Sequence, residues 1–583
     1  MIKISKIKIL SLFSAAVSLL GVILYFDLPK SNILFIPLFY ALYIGFKSIV
    51  PKVNTKDGIF CGKLSIIYST MLILGYQLDT YNGFIYNTKT ILALLCFPFV
   101  IFIIIYAILN YFNNLTLKES KINISNKRLK LLIFLLIFVI WFLGFLAIFP
   151  GLYGYDAGFQ FMEFDIPDYT VTSHFSILHS YLFYFLVNLG YKIFNSYKIG
   201  FAIYGFLQML FLCSVTSKVC YYIYNKFKNI KLLTISVLFF ALSPFAMILS
   251  LSACQDAIFA GIFVLVILST LDMIENSKIF WSSWKKILTY FILIFLLCAF
   301  RNNGLYAFIV LVPFAIIFIK KYKLHFMILS FLAISLFEVY KGPFHNLLEI
   351  QKGDSLKEMS SVIVQQFGRV YCYKKDSLSD EELAYITHLI PEESLAIYEY
   401  NPCISDALKG ALNTGLLKSD YLKFIKTYLS VGVKNPGVYI QAFLLNNIGT
   451  WYPNKTYPDS RMYHPFIEYE MLDAKKWNEH YIIIERTSFF PLYEKVLNIF
   501  VNKSAWNKLP IVSTIFSGGT YFFIFIFVVT YTIYNKKYMY LVPLSLVLGL
   551  YLTILLAPVT LYRYLYPIIL CTPIIFSFVL NRR

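Results

Sequence analysis

LLIFLLIFVIWFLGFLAIFPGLYGYDAGFQFMEFDIPDYTVTSHFSILHS, residues 131–180, decides how the chain is read. Leu131 to Pro150 is a run long and apolar enough to cross a bilayer as one helix. At Gly151 the character changes at once. Asp156, Gln160, Glu163, Asp165, Asp168, His174 and His179 follow before position 180. A membrane chain has little reason to gather so many titratable groups at the mouth of a span unless binding or chemistry takes place there.

The whole chain fits that reading. Of 583 residues, 59% are hydrophobic and only 14% charged, with mean hydropathy +0.69. This excludes an ordinary soluble domain and points to an all-α, multi-pass membrane protein. The formal charge of +20 does not imply nucleic acid. The lysines and arginines sit in short loops between apolar runs, as the positive-inside rule requires. The nine cysteines form no C-x-x-C pair, so no zinc or redox motif is expected. The richness in Lys, Ile, Asn, Phe and Tyr points to an AT-rich, bacterial genome.

Charge then orients the spans. Lys3, Lys6 and Lys8 precede a first apolar run without a signal-peptide cleavage site, so the N-terminus is expected in the cytoplasm. Lys47, Lys52, Lys56 and Lys63 mark an inner loop, and the 77–89 connection an outer one. Lys118, Lys121, Lys127, Arg128 and Lys130 mark the next inner loop, so the 131–150 span delivers Asp156 outside. Residues 175–195 are apolar enough to cross. A crossing there would push the Lys226–Lys231, Lys278–Lys286 and Lys320–Lys323 clusters outside, against the rule. A juxtamembrane segment over 175–195 keeps them all inside and is the expectation adopted. The total is about fourteen spans. Residues 1–130 hold the N-terminal spans, 131–340 a membrane core with an outer loop at 151–198, and 516–583 the closing spans. Residues 341–515 lack any such apolar run and read as a mainly helical extracytoplasmic domain. Gln365, Arg369 and Arg461 are its best polar candidates, and Cys372 and Cys403 are free to pair or to stay apart.

This topology brings four polar stretches to the outer face: the Asp156 loop with Gln160, His174 and His179; Ser252 to Asp256, including Gln255; Arg301-Asn302-Asn303-Gly304; and Thr560 to Tyr564, including Tyr562 and Arg563. Arg301 and Arg563 are basic residues outside, against the charge rule. A guanidinium there suits a bound anion, most naturally a phosphate, or else a lipid headgroup or a carboxylate. Asp156, held at the interface by the Gly151–Gly154 turn, is the candidate general base. Asp156 and Asp256 are also candidate ligands of a divalent cation such as Mg²⁺ or Mn²⁺. His174 and His179 are five apart, the wrong spacing for a metal pair on one helical face.

The order of these stretches resembles membrane glycosyltransferases of the GT-C fold, such as protein O-mannosyltransferases and lipid A aminoarabinose transferases. The matching positions are Asp156 with Gln160, Ser173-His174 to His179, Ser252 to Asp256 and Arg301 to Gly304. Tyr562-Arg563-Tyr564 agrees more loosely, and the resemblance covers roughly 131–340. The family's His-x-Pro-Pro sequence is missing after His174, and the second acidic site reads Gln-Asp. The resemblance implies transfer of a sugar from a polyprenyl-phosphate donor to an extracytoplasmic acceptor at a bacterial plasma membrane. Asp156 would be catalytic. Gln160, His174, His179, Gln255, Asp256, Arg301, Asn302, Asn303, Arg369, Tyr562 and Arg563 would bind substrate. An O-antigen-type polymerase or ligase, and a lipid-linked glycan flippase, are the competing expectations.

Overall fold

A computed structural model of the chain describes every residue except 1, 30, 121, 154, 166–169, 354, 456–483, 485, 502–508, 510 and 581–583. Asp168 and Arg461 therefore lie outside the described residues. The N-terminal half runs α1 (Ile2–Phe26), α2 (Phe35–Ile49), α3 (Thr55–Tyr81), α4 (Thr88–Asn114) and α5 (Asn126–Ala147). Then follow β1 (Leu152–Tyr153), α6 (Tyr155–Asp165), α7 (Ile177–Phe194) and α8 (Tyr197–Phe227). Next come α9 (Ile230–Leu242), α10 (Pro244–Ser250), β2 (Ser252–Ala253), α11 (Gln255–Glu275), α12 (Ser277–Trp281), α13 (Trp284–Phe300), α14 (Asn302–Phe318) and α15 (Lys323–Val339). The chain closes with helices Gly518–Tyr534, Leu541–Ile554 and Tyr562–Leu580.

Local sequence explains many of the boundaries. Asn54, Asn87, Ser125, Ser176, Ser196, Asn229 and Ser243 each cap a helix, accepting a first-turn backbone N–H on the side chain. Pro244 starts α10 where its missing N–H costs nothing, and the α9–α10 pair bends by 56°. Among the described residues, eight helices are long and apolar enough to cross a membrane, or nine with that bent pair counted as one, and four shorter apolar helices stand beside them. Helix α7 is not among them. It folds back on α8 through a left-handed Asn195, and Gly190 packs directly on Gly200.

The burial pattern says what solvent surrounds these helices. On α5, Leu129, Ile133, Ile137, Trp141 and Phe145 are buried, while Leu131, Leu132, Leu135, Leu136 and Val139 are exposed. An apolar stripe left bare along a helix of this length is stable only in hydrocarbon. The protein is a polytopic, all-helical membrane protein, and its only sheet among the described residues is the β1–β2 pair.

The helix ends sort onto two faces. On one, Lys226 pairs with Glu275 and bonds Tyr540, Lys286 pairs with Asp272, Tyr534 bonds Asp57 and Asn229 bonds the Lys118 carbonyl. The basic clusters collect here. On the other, Lys455 pairs with Asp79, Thr450 meets Thr560 at 3.1 Å, and Asp156 meets Arg563.

That second face carries a separate helical unit. Val364, Phe367, Val370, Ile386, Leu389, Leu395, Leu408 and Val431 make its core. It is tied down on the loop before the last helix: Asn446 and Asn447 donate to the Ala557 and Leu555 carbonyls, and the Ser405 N–H to that of Pro558. Helix Pro491–Val501 belongs elsewhere. Its Leu497 sits in the transmembrane core, and Tyr493 reaches Met247. Cys372 and Cys403 are both free thiols.

Within the unit, Ser379 and Glu382 form a reciprocal capping box. Burial raises the Glu382 pKa. The Lys434 ammonium, the Ser379 N–H and the Ser430 hydroxyl outweigh that and hold it down to about 2, from an ordinary 4.5. A depressed carboxylate stabilises the fold above its ordinary pKa, and the contribution fades as pH falls from about 4.5 toward about 2. Glu382→Gln is expected to destabilise helices Asp380–Leu389 and Tyr421–Lys434 by about 1–2 kcal/mol at pH 7. Near pH 2 the variant and the parent should match. Hydrogen exchange of those amides at both pH values checks it.

Candidate functional site

The site begins at a backbone turn. Gly151 adopts φ +121°, and a Cβ there would lie 2.9 Å from the Leu251 carbonyl. That close approach lets the Leu152 N–H donate to the same carbonyl at 2.8 Å. Leu152–Tyr153 then pairs in parallel with Ser252–Ala253. The two-rung pairing sets the starts of α6 and α11 side by side. Asp156 and Asp256 each lie in a first turn, where the helix dipole favours a carboxylate.

Two guanidiniums face these carboxylates. Arg301, in extended conformation at the start of α14, pairs with Asp256. Arg563, one residue into the last helix, pairs with Asp156, and its Nε stands 3.7 Å from Asp256 Oδ2. The Tyr564 ring serves both cations, with Arg301 at 4.9 Å and Arg563 at 5.3 Å from its centre. Four residues, the outermost 407 positions apart, thus form one largely buried, charge-balanced cluster. Burial pushes the nearby Cys254 thiol up to about 11, against the Arg563 charge, which keeps it a thiol and rules it out as a ready nucleophile.

A supporting network holds the cluster. The Ser176 N–H donates to Gln255 Oε1 at 2.7 Å, and the Ser176 hydroxyl to the Ala299 carbonyl at 3.0 Å. The segment before α7 is thereby laid across the start of α11 and the end of α13. Gln208 donates from Nε2 to the Ser250 and Ser252 carbonyls at 2.9 and 2.8 Å. Its Oε1 must then accept from Tyr204 at 2.7 Å. The Tyr204 oxygen in turn accepts from His179 Nε2 at 2.7 Å. This chain fixes the Nε2–H tautomer of His179 and braces the β2 turn that presents Asp256. Burial pushes His179 down to about 3, so the ring is neutral.

Several expected substrate ligands are engaged elsewhere. Asn303 donates to Thr553 at 3.1 Å, and Asn302 accepts from Lys341 at 3.3 Å. The Tyr562 hydroxyl donates to the Phe516 carbonyl. Arg369 bonds Asn82 and Gln441, which fastens the helical unit to the α3–α4 connection. His174 lies against Gly353. These positions are helix-packing and docking contacts. Gln160 is 1% exposed and joins the cluster's side of α6, one turn after Asp156. Tyr204 and Gln208 escape a reading by residue type because each sits in an apolar run with no polar neighbour to mark it, whereas Tyr564 is marked by the adjacent Arg563.

The arrangement does not fit the divalent cation expected at Asp156 and Asp256. Each carboxylate already faces a guanidinium, and among the described residues no three His, Cys, Asp or Glu side chains gather to hold a metal.

The fold and the cluster together define a polytopic membrane protein with a charge-paired site at one face. The chain belongs to a family of unknown function, DUF6020, whose model matches residues 166–583. Asp256, Arg301 and Arg563 lie inside the matched region, and Asp156 precedes it. No curated protein and no solved structure matches the chain.

Proposed function

We propose that the protein is a GT-C-like glycosyltransferase of about fourteen spans that uses a polyprenyl-phosphate-linked sugar at the extracytoplasmic face of a bacterial membrane. The observation that carries this reading is the cluster itself: two arginines, on the face away from the basic loops, each held by a carboxylate. The donor's phosphodiester carries one negative charge, like a carboxylate, but offers both guanidiniums a bidentate partner at once, and a second charge develops on it as the sugar leaves. A donor entering from the bilayer would take Arg301 and Arg563 from their aspartates. Asp156, released next to the reacting centre, then accepts the proton of the acceptor hydroxyl. The acceptor oxygen bonds to the anomeric carbon as the carbon–oxygen bond to phosphate breaks, and the electron pair leaves on the phosphate against the arginines. One displacement inverts the sugar carbon. The helical unit docked on this face is placed to admit the acceptor, a cell-envelope glycan, lipid or protein.

The test is donor consumption. Full-length protein in proteoliposomes, given a panel of polyprenyl-phosphate-linked hexoses and aminosugars, is expected to release polyprenyl phosphate when envelope extract supplies acceptor. Cells lacking the protein should lose a sugar from an envelope polymer by mass spectrometry. An inert panel together with unchanged polymers would falsify the reading.

A further inference from the structure

Helix α6 carries a second polar feature beside the ion pairs. Asp156, Gln160 and Glu163 stand at i, i+4 and i+7, on one helical face. Asp156 at one end bonds Arg563. Glu163 at the other accepts on Oε1 from the Thr172 hydroxyl at 2.8 Å and the Thr172 N–H at 3.3 Å. Thr172 bridges to Gln351, and four residues on, Ser176 is bound to Gln255 and Ala299. The segment therefore roofs the stripe from Glu163 back to the cluster. Between those anchors the polar atoms have no partners. Gln160 is 1% exposed with neither amide atom hydrogen-bonded, and Glu163 is 5% exposed with Oε2 unbonded.

Leaving three buried polar atoms unpaired is costly, about 1–3 kcal/mol for each. Such a cost is kept where a ligand relieves it. The chemistry of these unpaired atoms selects the ligand. A phosphate would meet a carboxyl group and no cation. An ammonium would satisfy Glu163 but leave the Gln160 donors unmet. A hydroxyl both donates and accepts, so two or three on one small ring satisfy the amide NH₂, the amide oxygen and the carboxyl Oε2 together.

We infer that Gln160 and Glu163 form a subsite for the ring hydroxyls of a neutral sugar, one helical turn from the arginines that hold its phosphate. This deepens the transferase reading and rests on it. Burial lifts the Glu163 carboxyl up to about 7 against its Thr172 hydrogen bonds, which agrees with a group that meets a neutral hydroxyl rather than a cation. Glu163 is a positioning and specificity residue: it selects the sugar, whereas Arg301 and Arg563 hold the anion.

The experiment compares two probes on full-length protein in nanodiscs, both phosphodiesters of a single charge: the methyl ester of undecaprenyl phosphate as the bare lipid, and the same lipid carrying a hexose in place of the methyl group. Wild type is expected to bind the hexose-bearing lipid about tenfold more tightly. Glu163→Met and the nearly isosteric Gln160→Met, which remove the hydrogen-bonding atoms, should each erase that increment and bind the bare lipid as wild type does, with elution and unfolding midpoint checking the fold. An increment that survives both substitutions overturns the subsite. So does a wild type that shows no increment, the result expected if only water fills the stripe. Failure to bind even the bare lipid would instead overturn the arginine reading. The subsite is then judged from octyl glucoside against a neutral octyl ether without ring hydroxyls, and equal binding of those two overturns it.

Discussion

Arg563→Gln is expected to destabilise the protein by about 3–5 kcal/mol and to abolish binding of a lipid phosphate, because it leaves buried charge without its partner. Arg563 is the central cation of the cluster: it pairs with Asp156, approaches Asp256 at 3.7 Å and lies over Tyr564. Its side chain is 12% exposed, and that of Asp256 only 3%. Asp156, its direct partner, is 24% exposed, so water replaces the lost guanidinium only in part, and two carboxylates are left to share Arg301. The double variant Arg563→Gln with Asp156→Asn removes one charge of each sign. It should recover most of the lost stability and none of the anion binding. Thermal unfolding in detergent gives the first quantity, and titration with undecaprenyl phosphate the second. A single variant as stable as the parent would mean that the pairs contribute nothing to the fold.

The second large effect falls on turnover. Asp156→Asn keeps the size of the side chain and an oxygen for Arg563, so expression and donor binding should persist. It removes the group that takes the acceptor proton, and general-base catalysis is worth about 10²–10⁴-fold. Single-turnover release of polyprenyl phosphate is expected to slow by that factor. Asp256→Asn should act differently. It removes the carboxylate that competes with donor phosphate for Arg301, so its effect should appear mainly as a lower donor KM. Normal turnover by Asp156→Asn would remove Asp156 from the chemistry.

Much of this was legible before the fold. The basic loops, taken in order, give each helix an expected direction, and the helix ends of the fold sort onto two faces. Asp156, Asp256, Arg301 and Arg563 stand out singly because charge at the mouth of an apolar run is rare, and the fold gathers all four. The partners were not legible. Whether Arg301 meets a carboxylate or a ligand depends on the register of α11 against α13, the helix that ends at Arg301. Arg369, Asn302 and Asn303 look like ligands by residue type, yet each finds a helix to bond. Tyr204 and Gln208 lie inside a long apolar helix, where only the tertiary neighbour shows that they brace a turn. The β1–β2 pairing is two residues long, too short to leave any pattern.

That short pairing has a mechanical consequence. Leu152–Tyr153 and Ser252–Ala253 are joined through backbone hydrogen bonds, so the two acidic helix starts behave as one jaw of fixed span. Arg301 and Arg563 stand on separate helix junctions with no such splint between them. On the proposed function, a lipid headgroup would draw the arginines away from the splinted carboxylates rather than part the carboxylates, with α14 and the last helix as the arms on which to seek that movement.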